Sequence, residues 1–298
     1  METGRDPFHD GERTLQARAG MQQRMAEIGA RVIRDHMPEQ HRDFFTLLPF
    51  LIVGSVDADG QPWASVLHGP PGFVRSPDAR TLHVDARPPA GSPLAAHLRD
   101  GAALGLLGIQ PHTRRRNRMN GRVARVGEAG FDVEVEQSFG NCPKYIRTRE
   151  AFYFDEGAPG APQPLAALDD AARAIIASAD TLFIASAHAD GVDVSHRGGE
   201  PGFVSVGSGD VLTLPDYAGN FFFNTLGNLL LEPRAGLLFI DFDSGDLLHV
   251  SARAEIVWDG DEVAAYPGAQ RLLRLTVTGA LRVPRGLPLE WSASADQA

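Results

Sequence analysis

Apolar residues along the chain follow two rhythms. From Thr14 to His36 the positions Met21, Met25, Ile28 and Val32 step by four, three and four, which places them on one face of a helix. Pro38 ends that helix and is suited to open a shorter one through Phe45, because a first-turn proline loses no intrahelical hydrogen bond. After Pro49 the rhythm changes to short runs rich in Val, Ile, Leu and Phe, separated by Asp-Gly, Pro-Gly and glycine-rich punctuation. These runs are Phe50–Val56, Trp63–Leu67, Thr81–Val84, Ala103–Ile109, Arg122–Val126 and Phe131–Gln137, and they predict the strands of an antiparallel barrel or sandwich. The stretch GAPGAPQP (157–164) has prolines without apolar periodicity and reads as a linker that cannot join a sheet ladder. Ala166–Ala179 then predicts a helix, and a second series of strands begins at Thr181.

The second series repeats the first. FLIVGSVDADG (50–60) corresponds to TLFIASAHADG (181–191), PPGFV (70–74) to EPGFV (200–204), GLLGI (105–109) to GLLFI (236–240), and Arg122 to Arg253. Four blocks in one order predict two copies of one β-barrel, each crossed by a helix, at Pro93–Leu98 and at Phe221–Leu231. The chain divides accordingly into an N-terminal helical segment (1–45), a first barrel (46–156), a linker (157–168) and a second barrel (169–298). Tandem copies pack as a pseudo-symmetric dimer, and a ligand is expected in the groove between them.

Composition narrows the chemistry. The 298 residues carry a net charge of −10, which opposes broad contact with nucleic acid or anionic lipid. The amino terminus METGRDPFHD is charged from its second residue, and no apolar run approaches the roughly 18 residues a membrane span needs. A cytoplasmic protein with neither nucleic-acid nor membrane partners is the expectation. Lys144 is the single lysine, so a Schiff base would have to form there. Cys142, the single cysteine, closes no intrachain disulfide and has no His–Asn partnership spelled out around it, so it reads as a packed side chain. The ten histidines include no HExxH, and the chain has no G-x-S-x-G, Walker A or G-x-G-x-x-G motif.

Two segments of the second copy point to an anion site. In SHRGGEPGF (195–203), Ser195 and Arg197 offer donors and Gly198–Gly199 an open backbone; the alternative is a solvated β-turn. In DYAGNFFFNTLGNLL (216–230), Asn220, Asn224, Thr225 and Asn228 fall near a helix start, where backbone N–H groups favour an anion; alternatively Asn220 caps the helix and the phenylalanines pack in the core. The first copy has Ser65, Val66, Leu67 and His68 instead. It contributes PHTRRRNRMNGR (111–122) and EQSFGNCPKYI (136–146), whose arginines at 114, 115, 116, 118 and 122 form either a solvated turn or the counter-charge of an inter-domain cleft.

At SHRGGEPGFV, GNFFFNTLGNLLLEPRAGLLFIDF and SFGNCPKYI the sequence resembles the pyridoxamine 5′-phosphate oxidase-related, FMN-binding split-barrel family, and in particular its tandem-barrel members. The resemblance implies a mainly β fold with flanking helices, two six-stranded split β-barrels in one chain, and a flavin held between them. It implies Ser195, Arg197, Gly198, Gly199, Asn220, Asn224 and Thr225 as cofactor-binding residues, joined by Arg118, Ser138, Asn141 and Tyr145 from the other barrel. The implied function is an FMN-dependent oxidoreductase acting on a small molecule or an electron donor such as NAD(P)H, with FAD and a further homodimer left open. The tail PRGLPLEW (284–291) matches the family's substrate-phosphate motif only through Arg285 and Trp291, so oxidation of vitamin B6 does not follow. The competing expectation is a non-catalytic flavin- or haem-binding protein of the same fold, with His196 or His112 as haem ligand.

Overall fold

The computed structural model describes residues 6–154, 158–189 and 191–292. Three helices open the chain: α1 (Asp10–Arg18), α2 (Gln22–Val32) and α3 (Glu39–Thr46). The single helix predicted over Thr14–His36 is therefore two, broken at Gly20, which adopts a φ of +67°. Pro38 sits at the N-cap of α3, close to its predicted place.

The first repeat contains β1 (Phe50–Val56), β2 (Pro62–His68), β3 (Val74–Asp78), β4 (Thr81–Val84), α4 (Pro93–His97), β5 (Ala103–Gln110), β6 (Arg115–Val126) and β7 (Phe131–Gly140). After β8 (Ala151–Tyr153) and β9 (Gln163–Leu165), the second repeat contains α5 (Asp170–Ser178), β10 (Thr181–His188), β11 (Gly191–Gly198), β12 (Ser205–Val206), β13 (Val211–Tyr217), α6 (Asn224–Leu231), β14 (Arg234–Ile240), β15 (Leu247–Val257), α7 (Asp261–Ala264) and β16 (Ala269–Val283). A last strand, β17 (Leu289–Trp291), pairs with β8. The two large antiparallel sheets run β2-β1-β5-β6-β7-β4-β3 and β11-β10-β14-β15-β16-β13-β12, one order repeated strand for strand. The fold is a tandem pair of split barrels.

Three departures from the sequence expectations have physical causes. The arginine run is a strand from Arg115 onward, with only Arg114 in a turn at a φ of +52°: β6 starts at Arg115 and pairs with β5 from Gln110↔Arg115 to Ala103↔Arg122. Part of the predicted linker joins a sheet, since Pro164 stands opposite Leu281 at the edge position where a missing N–H is tolerated; Gly157 lies outside the described residues. Helix α6 starts at Asn224 and not at Phe221, because Phe221 and Phe223 hold φ of +61° and +62°.

Each barrel encloses its own apolar core. Leu51, Val53, Leu82 and Leu106 belong to the first, and Leu182, Ile184, Leu214 and Leu237 to the second. Odd-numbered residues of β1 face the first barrel's interior, so Phe50 and Ile52 face outward with the alternation of a strand. There they meet Phe183, Ala185 and Leu238 in a third cluster that joins the two repeats. The N-terminal helix α1 crosses α6 at a point where neither has a side chain. A Cβ on Gly11 would lie 2.2 Å from the Gly227 carbonyl oxygen, so only glycine permits this approach. That crossing carries Glu12 toward the start of α6.

Candidate functional site

Four cationic side chains, Arg116, Arg118, Lys144 and Arg197, line a cleft between the repeats. The first repeat supplies Arg116 and Arg118 from β6 and Asn141, Cys142, Lys144 and Tyr145 from the segment after β7. The second supplies Ser195 to Gly198 from β11, Asp216 and Tyr217 from the end of β13, and Asn220, Phe221, Phe223, Asn224 and Thr225 from the approach to α6. A cavity of about 130 Å³ lies among these residues, below the roughly 300–1,000 Å³ of typical small-molecule sites.

The inner wall is a buried polar network. On β11, Asp193, Ser195 and Arg197 alternate onto one face, as strand geometry requires. Arg118 Nη1 lies 2.9 Å from Asp193 Oδ1, and its Nη2 donates to Ser195 Oγ at 2.7 Å. Ser195 Oγ is also 2.7 Å from Thr225 Oγ1, and Arg118 Nη1 donates to Asn224 Oδ1 at 2.9 Å. Asn224 in turn donates to Glu12. Burial pushes the Glu12 carboxyl up to about 8, against the His9 backbone and Asn224 hydrogen bonds that favour its charge. Ser195, Asn224, Thr225 and Arg118 are therefore bonded chiefly to one another.

The outer wall differs. Arg116 donates to Nδ1 of His196 at 2.9 Å and has no carboxylate partner among the described residues. An arginine can only donate, so that imidazole nitrogen accepts and the ring is neutral. Burial, with the charges of Arg116, Arg197 and Arg149, holds His196 well below the usual histidine range. Burial and the like charges of Arg118 and Arg197 bring the Arg116 guanidinium down to about 10. Arg197 lies 3.9 Å from Asp216, a carboxylate it shares with Arg271 at 3.3 Å. The Nε atoms of Arg116, Arg118 and Arg197 are all buried without a hydrogen-bond partner. At the mouth, Tyr145 and Tyr217 stack with centroids 5.4 Å apart at 26°, one ring from each repeat. Tyr145, Phe221 and Phe223 all hold positive φ, a conformation non-glycine residues adopt only where their surroundings enforce it.

Nine of the eleven sequence-predicted residues line this cleft. Ser138 does not: it is buried and bonded to His41 at 3.0 Å. Gly199 does not either; a Cβ there would meet Phe203 at 2.7 Å, so this glycine serves packing. Gly198 lines the cleft, but its missing side chain makes room for the Tyr145 carbonyl, 2.1 Å from a built Cβ, and not for a ligand. Asn220 accepts from the Phe222 N–H at 3.1 Å, a turn ahead of the helix and not a cap on it. Asn228 points into the second barrel, donating to Ser186. His112 lies outside the cleft. Sequence reasoning missed Glu12, Asp193, Asp216 and Tyr217; for Asp193 the alternation of D-x-S-x-R along β11 was the available signal.

The family model described as pyridoxamine 5′-phosphate oxidase matches residues 37–157 and again 168–285, about four fifths of the chain. The chain belongs to the pyridoxamine 5′-phosphate oxidase family. No curated protein matches it. Among solved structures it is similar to a putative pyridoxamine 5′-phosphate oxidase from Lactobacillus delbrueckii, at 18% identity over 39% of this chain and 94% of that one, with a TM-score of 0.32. It is similar to an FMN-binding protein from Syntrophomonas wolfei, at 12% identity over 37% and 82%, TM-score 0.29. It is also similar to HutZ, a haem storage protein from Vibrio cholerae, at 16% identity over 40% and 95%, TM-score 0.29.

In this member of the pyridoxamine 5′-phosphate oxidase family the two repeats are unequal at the equivalent position. Strand register aligns Ser65 with Ser195, since they stand opposite Val53 and Ile184. It also aligns His249 with Arg118, opposite Leu238 and Leu107. Val66 and Leu67 thus replace His196 and Arg197, while Leu247 and His249 replace Arg116 and Arg118. Leu67 and Leu247 are buried in apolar clusters. His249 is buried against the Ala64 carbonyl at 2.9 Å, and burial pulls it down to about 4. Of the two positions related by the repeat, only one carries arginine.

Proposed function

We propose that the cleft binds flavin mononucleotide and that the protein is an FMN-dependent oxidoreductase. The observation that carries this reading is Arg116, a largely desolvated guanidinium beside two other arginines, with a neutral histidine as its partner and no carboxylate. A cation so placed needs an anion, and a phosphate matches a guanidinium donor for donor. Arg116, Arg197 and Lys144 would hold the phosphate. The aromatic side chains of Tyr145, Tyr217, Phe221 and Phe223 would flank a planar ring. Bound FMN supplies the electron-transfer chemistry of its isoalloxazine ring.

The chain's own residues do the positioning. Asp193, Ser195 and Asn224 pin the Arg118 guanidinium in one orientation at the inner wall. Fixed hydrogen-bond donors there suit a bound group that becomes more negative on reduction. No side chain need act as a nucleophile. A nicotinamide nucleotide is the proposed donor, and the single cysteine suits a reducing cytoplasm. Haem ligation gains no support from the geometry, because accepting from Arg116 at Nδ1 leaves the proton of the buried His196 ring on Nε2.

The test is the absorbance spectrum of the purified protein after dialysis against FMN or FAD, then anaerobically with NADH and NADPH. Retained FMN absorbance that bleaches with a nicotinamide donor is the expected result. Retention of FAD alone would replace the cofactor, and a colourless protein would overturn the reading.

A further inference from the structure

A second cavity lies at the other end of the same inter-repeat seam. Along β6, Arg118 belongs to the cleft and Arg122 to this cavity, four residues or about 13 Å away at roughly 3.3 Å per residue. Along β11, Ser195 belongs to the cleft and Val192 to the cavity. Asn120 and Asp193 stand between them, 3.5 Å apart.

The cavity, open to solvent on one side, measures about 730 Å³ and is built from matching parts of both repeats: Asp57 and Gly60 from the first hairpin, His188 and Gly191 from the second. Cross-repeat hydrogen bonds hold its wall. Gln61 donates to the Ala235 carbonyl at 2.8 Å, and Arg234 donates to the Asp59 carbonyl.

Its polar groups are unevenly satisfied. In the second repeat, Asn228 of α6 donates to Ser186 of β10 at 3.1 Å. The corresponding pair in the first repeat is His97 of α4 and Ser55 of β1. Both line this cavity, and both Ser55 Oγ and His97 Nδ1 are buried without a partner. Ser55 is 1% exposed. The anionic side chains are already engaged: Asp57 accepts from Trp63 and from the backbone of Asp59 and Gln61, and Glu232 accepts from Arg234. Arg99 has no carboxylate partner among the described residues, and Arg122 meets Glu136 through Nε alone. The remaining lining includes Val56, Ala102, Val192 and Leu231, a leucine left 43% exposed.

From unsatisfied donors, surplus guanidinium and apolar wall together, we infer that this cavity is a binding site for a small amphipathic carboxylate. The acid group meets Arg99 and Arg122, and the apolar body lies against Val56, Val192 and Leu231. The site is separate from the cleft and does not depend on flavin binding.

The experiment is a calorimetric titration of the full chain with 2-naphthoate, with naphthalene-2-carboxamide as the uncharged control. Saturable binding of one naphthoate per chain is expected, with the amide at least roughly tenfold weaker, the scale of one charge-assisted hydrogen bond. Arg99→Gln combined with Arg122→Gln should weaken naphthoate by a similar factor. Both side chains are solvent-facing enough for the fold to survive, which thermal unfolding checks. Arg116→Ala in the cleft should leave the affinity unchanged. Absent binding, equal affinity for acid and amide, or indifference to the double substitution would each overturn the inference. Loss of binding in Arg116→Ala would do so as well, by placing the probe in the cleft.

Discussion

Arg118 of the first repeat and Asp193 of the second form an ion pair at 2.9 Å, with side chains only 5% and 6% exposed. The pair joins the two barrels at the inner wall of the cleft. Arg118 is used there for architecture as much as for ligand, whereas Arg116, two residues earlier on the same strand, has no such counter-charge. One strand therefore presents a compensated arginine and an uncompensated one to a single cleft.

Truncating one member of a buried pair strands the other, so Arg118→Ala is expected to lower stability by about 3–5 kcal/mol. Denaturant unfolding measures this. Arg118→Ala with Asp193→Ala should recover part of the loss; a single variant as stable as the parent would show that the pair contributes nothing.

Arg116→Met should separate binding from stability. Removing a desolvated charge that lacks a carboxylate costs the fold little, so the melting temperature should hold or rise. FMN affinity should drop about tenfold or more, since hydrogen bonds to charged groups contribute roughly 1.5–3 kcal/mol. Unchanged affinity in a flavin titration would remove Arg116 from the site.

Glu12 makes stability depend on pH. Its folded value is raised to about 8 from an ordinary 4.5, so the folded state holds the proton more tightly. Its contribution is fully present below about 4.5 and is lost as pH rises through about 8. The stability of the parent relative to Glu12→Gln should fall across that window. A flat difference in unfolding free energy would mean that Glu12 titrates normally.

The inequality of the repeats predicts one FMN per 298-residue chain. Where the cleft has Arg116 and Arg118, the corresponding position has Leu247 and His249, with no arginine to receive a phosphate. A titration with flavin of known concentration should break at one equivalent; a plateau at two would show that the apolar counterpart opens.

Much of this architecture was legible in the chain. Strand alternation, the crossing helices and the repeat are local or periodic signals, and they placed β1 and β5, and the starts of β7 and β10, within a residue of the observed positions. Ser195 and Arg197 stood out because a hydroxyl and a guanidinium stand directly ahead of two glycines. The arginine run was harder to read, since consecutive charges suit a turn and a strand equally well until a partner strand is known. β5 is that partner, and its pairing puts Arg116 and Arg118 on the face toward the second repeat.

The sequence by itself determined that there are two barrels, and that arginine and polar residues are concentrated in unlike parts of the two copies. Hydrophobic periodicity and chain order suffice for that, because a barrel's alternation is written residue by residue. Only the tertiary structure decided which of those groups are already spent on one another. Arg118 meets Asp193 at a sequence separation of 75 and Glu12 reaches Asn224 at one of 212, while Arg116 reaches only a neutral histidine. Charge compensation depends on distance in space and on the loss of water around each group, and neither is encoded in local sequence.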